Sequence, residues 1–284
     1  LSARRMHPHD YCWTVRTANC AAHATDEISM SRRSTALLKT ALAAVHYTGA
    51  GNLLAPYTRG AGVIFMLHHV DPAPPQPFEP NRILKVTPEF LEAVVREVID
   101  AGFDIIPLDQ IRQRLENADN ERPFACFTLD DGYRDNRDFA LPVMREYDAP
   151  LTVYVASDFA EGTGRLWWVA LERAVAKASS IEVPIGGTAT RLDASTPSAK
   201  QAAFDRVHDW LRELPTEHDM QWEMSALCTR HDVDETSIAR ELCLSWEELK
   251  AFADDPLVTI GAHTITHCNL ARQSEETASF ELAA

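Results

Sequence analysis

Two adjacent carboxylates in the segment TLDDGYRDN have the type and placement of catalytic groups. Asp130 and Asp131 follow the apolar run FACFTL and precede Gly132. The carboxyl end of a strand is where α/β folds place catalytic side chains. A glycine turn there can bring both carboxylates to one cleft, where a cation stabilises one and the other accepts a proton. For an isolated D-D-G, a helix N-cap followed by a first-turn acid is the commoner explanation.

Two histidines in the segment HTITH have the spacing of metal ligands. His263 and His267 lie four residues apart after the apolar run LVTIGA, and a helical arc would superimpose their side chains. With one carboxylate they form a three-ligand set that leaves a position open for water, as in catalytic zinc sites. A pair of capping or surface histidines explains H-x-x-x-H alone equally well. Because both motifs end predicted parallel strands, their combination favours a shared metal site.

A third candidate lies at the end of the first predicted strand, GVIFMLHHV at residues 62–70. His68 or His69 could line the same cleft, and Tyr133 is a further candidate for its wall. A hydrogen-bonded core histidine is the competing explanation for either imidazole.

The elements that must position these residues alternate between strand and helix. Apolar runs at 62–70, 124–129, LTVYVA and LVTIGA predict strands buried on both faces of a parallel sheet. VTPEFLEAVVREVIDAG predicts a helix capped by Thr87 and ended by Gly102, and RDFALPVMREYDA predicts another. STALLKTALAA, with Ser34 as N-cap, predicts a short helix before the sheet. The alternation indicates an α/β barrel or an open doubly wound sheet.

The alternation stops between about residues 165 and 254, which we interpret as a helical insertion. KQAAFDRVHDWLREL and SWEELKAFA are predicted to be amphipathic helices, and the polar stretch PIGGTATRLDASTPSAK lies before them. The insertion carries five tryptophans that could stack on sugar rings, although core packing is the more common role for such residues. They are Trp167, Trp168, Trp210, Trp222 and Trp246.

Composition excludes some classes of function. The 284 residues carry a net charge of −15, which disfavours nucleic acid and is compatible with a neutral glycan. The six cysteines include no C-x-x-C pair, so we expect reduced thiols and a cytoplasmic protein. No apolar stretch approaches the roughly 20 residues of a transmembrane helix. Residues 1–29 have no packing period and are predicted to be a disordered leader or sequence upstream of a start at Met30.

Taken together, these segments resemble the NodB-homology polysaccharide deacetylases, carbohydrate esterase family 4. TLDDGYRDN resembles the first family motif, T-F-D-D-G, with Leu129 in place of Phe. HTITH resembles the second, H-[ST]-x-x-H. Weaker matches come from FMLHHV, from the helix and strand that follow it, and from LTVYVASDF. The resemblance covers residues from about Gly62 to the C-terminus, with the insertion as an interruption.

The resemblance implies an incomplete (β/α) barrel within a domain at residues 30–284. It implies a divalent metal held by Asp131, His263 and His267, with Asp130 as the base that deprotonates water. Zinc is the first choice from ligand type, and cobalt, nickel and manganese suit the same ligands. The implied substrate is an N-acetylglucosamine-containing glycan, with chitooligosaccharide as the first to test. The oligomeric state does not follow from the sequence.

The chain also departs from the family pattern. The later family segments, including a Leu-x-His whose histidine is the catalytic acid, have no counterpart before Ala284, so we find no catalytic acid and expect a C-terminally truncated barrel with impaired turnover. Two alternatives stay open: another amide or imide hydrolase on the same scaffold, or an inactive remnant that binds glycan or metal.

Overall fold

The computed structural model describes residues 32–51, 53, 60–117 and 122–283. The chain divides into two compact units at Thr58 and Arg59. In the first unit, helix α1 (Arg32–Tyr47) begins two residues before the predicted Ser34 cap and continues three residues beyond the predicted end. The leader at residues 1–29 lies outside the described residues. No described helix is long and apolar enough to cross a membrane.

The second unit is built on a parallel sheet of five strands. Four of them, β1 (Gly62–Leu67), β5 (Phe124–Leu129), β6 (Leu151–Val155) and β9 (Val258–Ala262), lie in the order β1-β5-β6-β9, and a two-residue strand, β4 (Asp104–Ile105), also pairs with β5. All these pairs are parallel. The described strands form an open sheet rather than a closed barrel, which confirms an α/β fold of the incomplete-barrel type. Two further two-residue strands, β2 (His69–Val70) and β3 (Lys85–Val86), pair with each other outside this sheet.

Helices cover one face of the sheet. Helix α2 (Pro88–Asp100) starts at the predicted cap, where the Thr87 hydroxyl accepts the Phe90 N–H at 3.2 Å. A short helix, α3 (Ile111–Glu116), follows β4. The RDFALPVMREYDA segment forms a π-helical turn at Asn136–Ala140 that continues into α4 (Leu141–Glu146). The buried side chains of α2 and α4 join Ala125, Phe127 and Leu129 of β5 and the apolar side chains of β6 in one core. Phe124 and Cys126 of β5 belong to a separate, smaller cluster.

Strand β1 differs from its prediction. Its Ile64 and Met66 side chains are 52% and 64% exposed, whereas the apolar run predicted burial on both faces. Strand β1 lies at one end of the strand order, whereas β5 has paired strands on both sides. Strand β5, between two neighbours, is buried at every position.

The insertion is helical but also contains a hairpin. Helix α5 (Ser157–Glu161) precedes it, and α6 (Trp167–Lys177) opens it. Strand β7 (Ser180–Val183) lies just before the stretch interpreted as polar and pairs antiparallel with β8 (Thr190–Asp193) within it. Two glycines with positive φ lie between the two strands. Three helices follow: α7 (Pro197–Glu213), α8 (Glu217–Arg230) and α9 (Ile238–Leu242).

The insertion ends earlier than the sequence indicates. It has its own apolar core, built mainly from α6, α7 and α8. Helix α10 (Trp246–Phe252), predicted as its last helix, instead buries Leu249 and Phe252 in the sheet core. The predicted boundary near residue 254 therefore includes a helix that belongs to the sheet layer. The last helix of the described chain, α11 (Glu275–Ala283), follows β9.

A charged network fixes the position of α10. Glu248 completes a capping box with Ser245, and its carboxylate accepts two hydrogen bonds from Arg134, at 3.2 and 2.7 Å. Arg137 donates a third at 3.1 Å. These contacts lower the pKa of Glu248 to about 2, against the effect of burial, which raises it. Arg134 belongs to the TLDDGYRDN segment, so the network ties the carboxylate motif to the helix that follows the insertion.

Candidate metal centre

The end of β5 turns sharply at the two carboxylates. The Asp130 N–H donates to the Leu67 carbonyl at 2.9 Å and so continues the pairing of β5 with β1. Asp131 and Gly132 then both adopt positive φ, 73° and 64°. Residues 130 and 131 of an extended strand would face opposite sides of the sheet. The left-handed turn instead brings the Asp131 carboxylate beside the loop that follows β9.

Gly132 is required at this turn for two reasons. Its positive φ suits glycine, and a Cβ atom would lie 3.0 Å from Val155 Cγ2. Gly132→Ala is therefore expected to lower the free energy of unfolding by more than the ~1–2 kcal/mol that a left-handed alanine costs. Gly186→Ala is a matched control, because φ is 62° there and no atom lies within 4 Å of the added Cβ. Urea unfolding should show a larger loss for Gly132→Ala; equal losses would exclude a packing role for Gly132.

The histidine motif forms a tight loop rather than the helical arc that its spacing suggested. The His263 N–H donates to the Val155 carbonyl at 2.9 Å, which extends the pairing of β9 with β6. Thr264 and His267 have positive φ, 67° and 61°. The Thr264 hydroxyl accepts the His267 N–H at 3.1 Å and closes the loop. The two imidazole centroids lie 4.9 Å apart as a result.

Asp131, His263 and His267 converge on one point. One ligand atom from each lies within 4.8 Å of the other two. Asp131 Oδ1 is 3.2 Å from His267 Nε2 and 3.9 Å from His263 Nε2. Asp131 is 1% exposed, and its Oδ1 is buried without a hydrogen-bond partner. A buried carboxylate oxygen needs a partner, and a cation bound by these three side chains would provide it, so the residues fit a divalent metal.

Burial shifts the pKa values of His267 and Asp130 in opposite directions. It lowers the pKa of His267, against the negative charge of Asp131, which raises it. A neutral imidazole is the form that binds a metal. Burial raises the pKa of Asp130, and the nearby His263 and His68 oppose that rise when charged. A carboxylate with a raised pKa is a stronger base than an exposed one.

His68 lies on the other side of Asp130. Its Nε2 is 4.0 Å from Asp130 Oδ2, and its backbone carbonyl accepts a hydrogen bond from Asn136 Nδ2 at 2.7 Å. His68 also lines the cavity described below. Of the two adjacent histidines, His68 is therefore the one that faces the candidate site.

His69 contacts two residues of the TLDDGYRDN segment. Its Nδ1 lies 2.6 Å from Asp135 Oδ2, and its ring stacks on Tyr133 with centroids 3.6 Å apart. Tyr133 was expected to line the cleft, but it is 1% exposed and packs in the insertion core. Asp135 and Asn136 were not predicted to have a role at the site. Their only sequence signal is that they belong to the TLDDGYRDN segment.

A cavity of about 510 Å³ opens beside the three converging side chains. Its wall includes His68, Asp131 and His267, and the insertion contributes Trp167, Trp168 and other residues of α6, α7 and α8. The Trp168 and His267 ring centroids are 5.2 Å apart. The other insertion tryptophans do not line this cavity: Trp210 is buried in the core, and Trp222 and Trp246 are exposed.

The sequence profile named polysaccharide deacetylase matches residues 117–284, which include both motifs. The chain belongs to the polysaccharide deacetylase family. No curated protein sequence was found to match it.

Three solved structures resemble this family member at low similarity. Deacetylase PplD from Streptococcus pyogenes, in complex with acetate, has 16% identity and a TM-score of 0.42 over 78% of this chain and 63% of its own. The putative polysaccharide deacetylase BA0330 from Bacillus anthracis has 16% identity and a TM-score of 0.40 over 78% and 46%. A de-N-acetylase from Aggregatibacter actinomycetemcomitans has 12% identity and a TM-score of 0.35 over 72% and 54%. The chain thus spans between 46% and 63% of the length of these structures.

Proposed function

We propose that this polysaccharide deacetylase family member hydrolyses N-acetyl groups of N-acetylglucosamine units in a glycan, in a reaction that depends on a divalent metal. The observation that carries the proposal is the convergence of Asp131, His263 and His267 around a carboxylate oxygen that has no hydrogen-bond partner. Family membership supports the choice of acetamide hydrolysis.

The proposed roles divide between the two carboxylates. A metal held by Asp131, His263 and His267 would polarise the acetamide carbonyl and lower the pKa of a water molecule. Asp130 would accept the proton of the attacking water, a role that its buried position and raised pKa support. Asp130, the proposed base, ends strand β5, and the left-handed turn that follows directs the carboxylate of Asp131, the proposed ligand, toward the histidine loop.

The departing amine needs a proton, and His68 is the described residue that we propose as its donor. Its Nε2 is 4.0 Å from the Asp130 carboxylate and it lines the cavity. Asn136 anchors its backbone carbonyl. We propose that His68 donates a proton to the amine nitrogen from the side of the base.

The cavity supports a glycan as substrate. Trp167 and Trp168 both line the cavity, and the Trp168 ring centroid is 5.2 Å from that of His267. Aromatic faces with a few polar groups are typical of small-molecule sites. We propose chitooligosaccharide as the substrate to test first and zinc as the metal, with cobalt, nickel and manganese as substitutes that the same ligands accept.

We also propose a cytoplasmic location. Four of the six cysteines lie in the described part of the chain, and all four are free thiols. Burial raises the pKa of Cys126 to about 11 and that of Cys228 to about 12, which keeps both protonated and unreactive. A reducing compartment is compatible with such thiols.

Acetate release from chitooligosaccharides tests the proposed function. Protein treated with a chelator should release no acetate, and addition of zinc or cobalt should restore release. Release that is unaffected by metal removal would contradict the metal role. Stoichiometric metal binding without release from any acetylated glycan would identify an inactive binding protein instead.

A further inference from the structure

The last described helix is attached to the rest of the protein in an unusual way. Glu281 is the one buried residue of α11 (Glu275–Ala283) and is 6% exposed. The apolar side chains next to it, Phe280 and Leu282, are each 67% exposed. Charged residues are rarely buried unless they have partners, and the Glu281 carboxylate has such partners.

The Glu281 carboxylate accepts three hydrogen bonds from the histidine loop. Oε2 accepts the backbone N–H groups of Ile265 and Thr266, both at 2.9 Å. Oε1 accepts the Thr266 hydroxyl at 2.8 Å. Three donors from two consecutive residues thus converge on one carboxylate, midway between His263 and His267.

The opposite side of the same loop is bonded to the start of α5. The Ser157 N–H donates to the Thr264 carbonyl at 3.2 Å, and the Asp158 N–H donates to the Ile265 carbonyl at 3.0 Å. The N–H groups of the same peptide units point away from α5, and the Glu281 carboxylate accepts their hydrogen bonds. Among the described residues, Glu281 is the acceptor for the Ile265 and Thr266 N–H groups, and its removal would leave both without that partner.

We propose that Glu281 is a positioning residue that sets the geometry of the candidate metal site by fixing the loop between His263 and His267. The loop contains the left-handed residues Thr264 and His267, a conformation that non-glycine residues adopt only when their surroundings impose it. The carboxylate supplies that constraint from one side and α5 supplies it from the other. This inference rests on the proposed function, because it assumes that the two histidines bind a metal.

Two substitutions separate hydrogen-bond geometry from charge. Glu281→Gln removes the charge but keeps an acceptor oxygen in place for the two amides, and its NH₂ group can donate to the Thr266 hydroxyl. Glu281→Asp keeps the charge but withdraws the oxygens by one methylene. Positioning predicts Co²⁺ affinity within about threefold of wild type for Glu281→Gln and a loss of roughly 10-fold or more for Glu281→Asp, the range seen when a supporting contact of a metal site is disturbed.

Co²⁺ titration followed by the visible absorption of the bound ion measures both affinity and ligand geometry. We expect Glu281→Gln to keep the wild-type spectrum and Glu281→Asp to change it. The same substitutions at Glu276, which is exposed on the same helix, should change neither. If Glu281→Gln instead bound Co²⁺ weakly and Glu281→Asp bound it with wild-type affinity, the proposal would be overturned in favour of a charge effect. Wild-type affinity and spectrum in both variants would overturn it as well.

The wild-type titration distinguishes failure of this inference from failure of the proposed function. If wild-type protein binds no Co²⁺, or binds it equally well after Asp131→Asn, the metal site itself is wrong. If wild type binds through Asp131 and the Glu281 variants bind identically, only the positioning role is wrong. Urea unfolding of the metal-free proteins shows whether each variant is folded before its titration is interpreted.

Discussion

Asp131→Asn is expected to remove tight metal binding while leaving the metal-free protein at least as stable as wild type. The carboxylate is 1% exposed, and one of its oxygens has no hydrogen-bond partner, so its charge costs stability in the absence of a cation. Asparagine tolerates the left-handed φ of 73° at this position. The loss of an anionic ligand should weaken metal affinity by more than the roughly 10- to 100-fold that changes outside the ligand set cause.

Unfolding with and without zinc measures both effects at once. Wild-type protein should gain about 2.7 kcal/mol in zinc at 100 times its dissociation constant, and Asp131→Asn should gain little at the same concentration. Asp148→Asn provides a control, because Asp148 also has positive φ, 50°, but is exposed. A large loss of stability in metal-free Asp131→Asn would indicate a structural carboxylate rather than a ligand.

The second large effect is expected at Asp130, on rate rather than on binding. Asp130→Asn removes the proposed base and should reduce acetate release roughly 100- to 10,000-fold, the contribution typical of general acid-base catalysis. Co²⁺ affinity should stay close to wild type, because Asp130 is not among the three converging side chains. The opposite pattern is expected for Asp131→Asn, which loses metal affinity first.

Single-turnover acetate release at saturating metal measures this effect. Asp100→Asn, an exposed substitution at the end of α2, controls for the loss of one negative charge from an acidic protein. Equal rates for Asp130→Asn and wild type would exclude Asp130 as the base. A loss of metal affinity in Asp130→Asn as large as that in Asp131→Asn would show that both carboxylates are ligands.

The parallel sheet was predictable because buried strands and capped helices leave strong local signals. FACFTL is apolar at every position except Thr128, and all of β5 is buried. The Thr87 cap was predicted and observed. The exposed face of β1 could not be predicted, since the order of strands in a sheet depends on contacts between distant segments. The β7–β8 hairpin was missed because its polar composition hid an alternation in which only Ile181 and Val183 are buried.

The candidate site was predictable in its residue types but not in its supports. The D-D-G and H-x-x-x-H motifs identified the side chains that converge, because each motif is contiguous. Glu281 lies 14 residues after His267, and nothing in its local sequence distinguishes it from Glu275 or Glu276. Its role depends on how α11 returns to the histidine loop, which is a long-range contact. The same limit applies to His69 and Asp135, 66 residues apart in the chain.

The aromatic wall of the cavity comes from the insertion, whereas the three converging side chains come from the ends of sheet strands. Chemistry and recognition would thus be encoded in separate stretches of the gene. Selection could alter helices α6 to α8, and with them the glycan accepted, while the metal ligands stayed intact. For protein engineering, the same division makes the insertion the segment to diversify or exchange when a new acetylated substrate is sought.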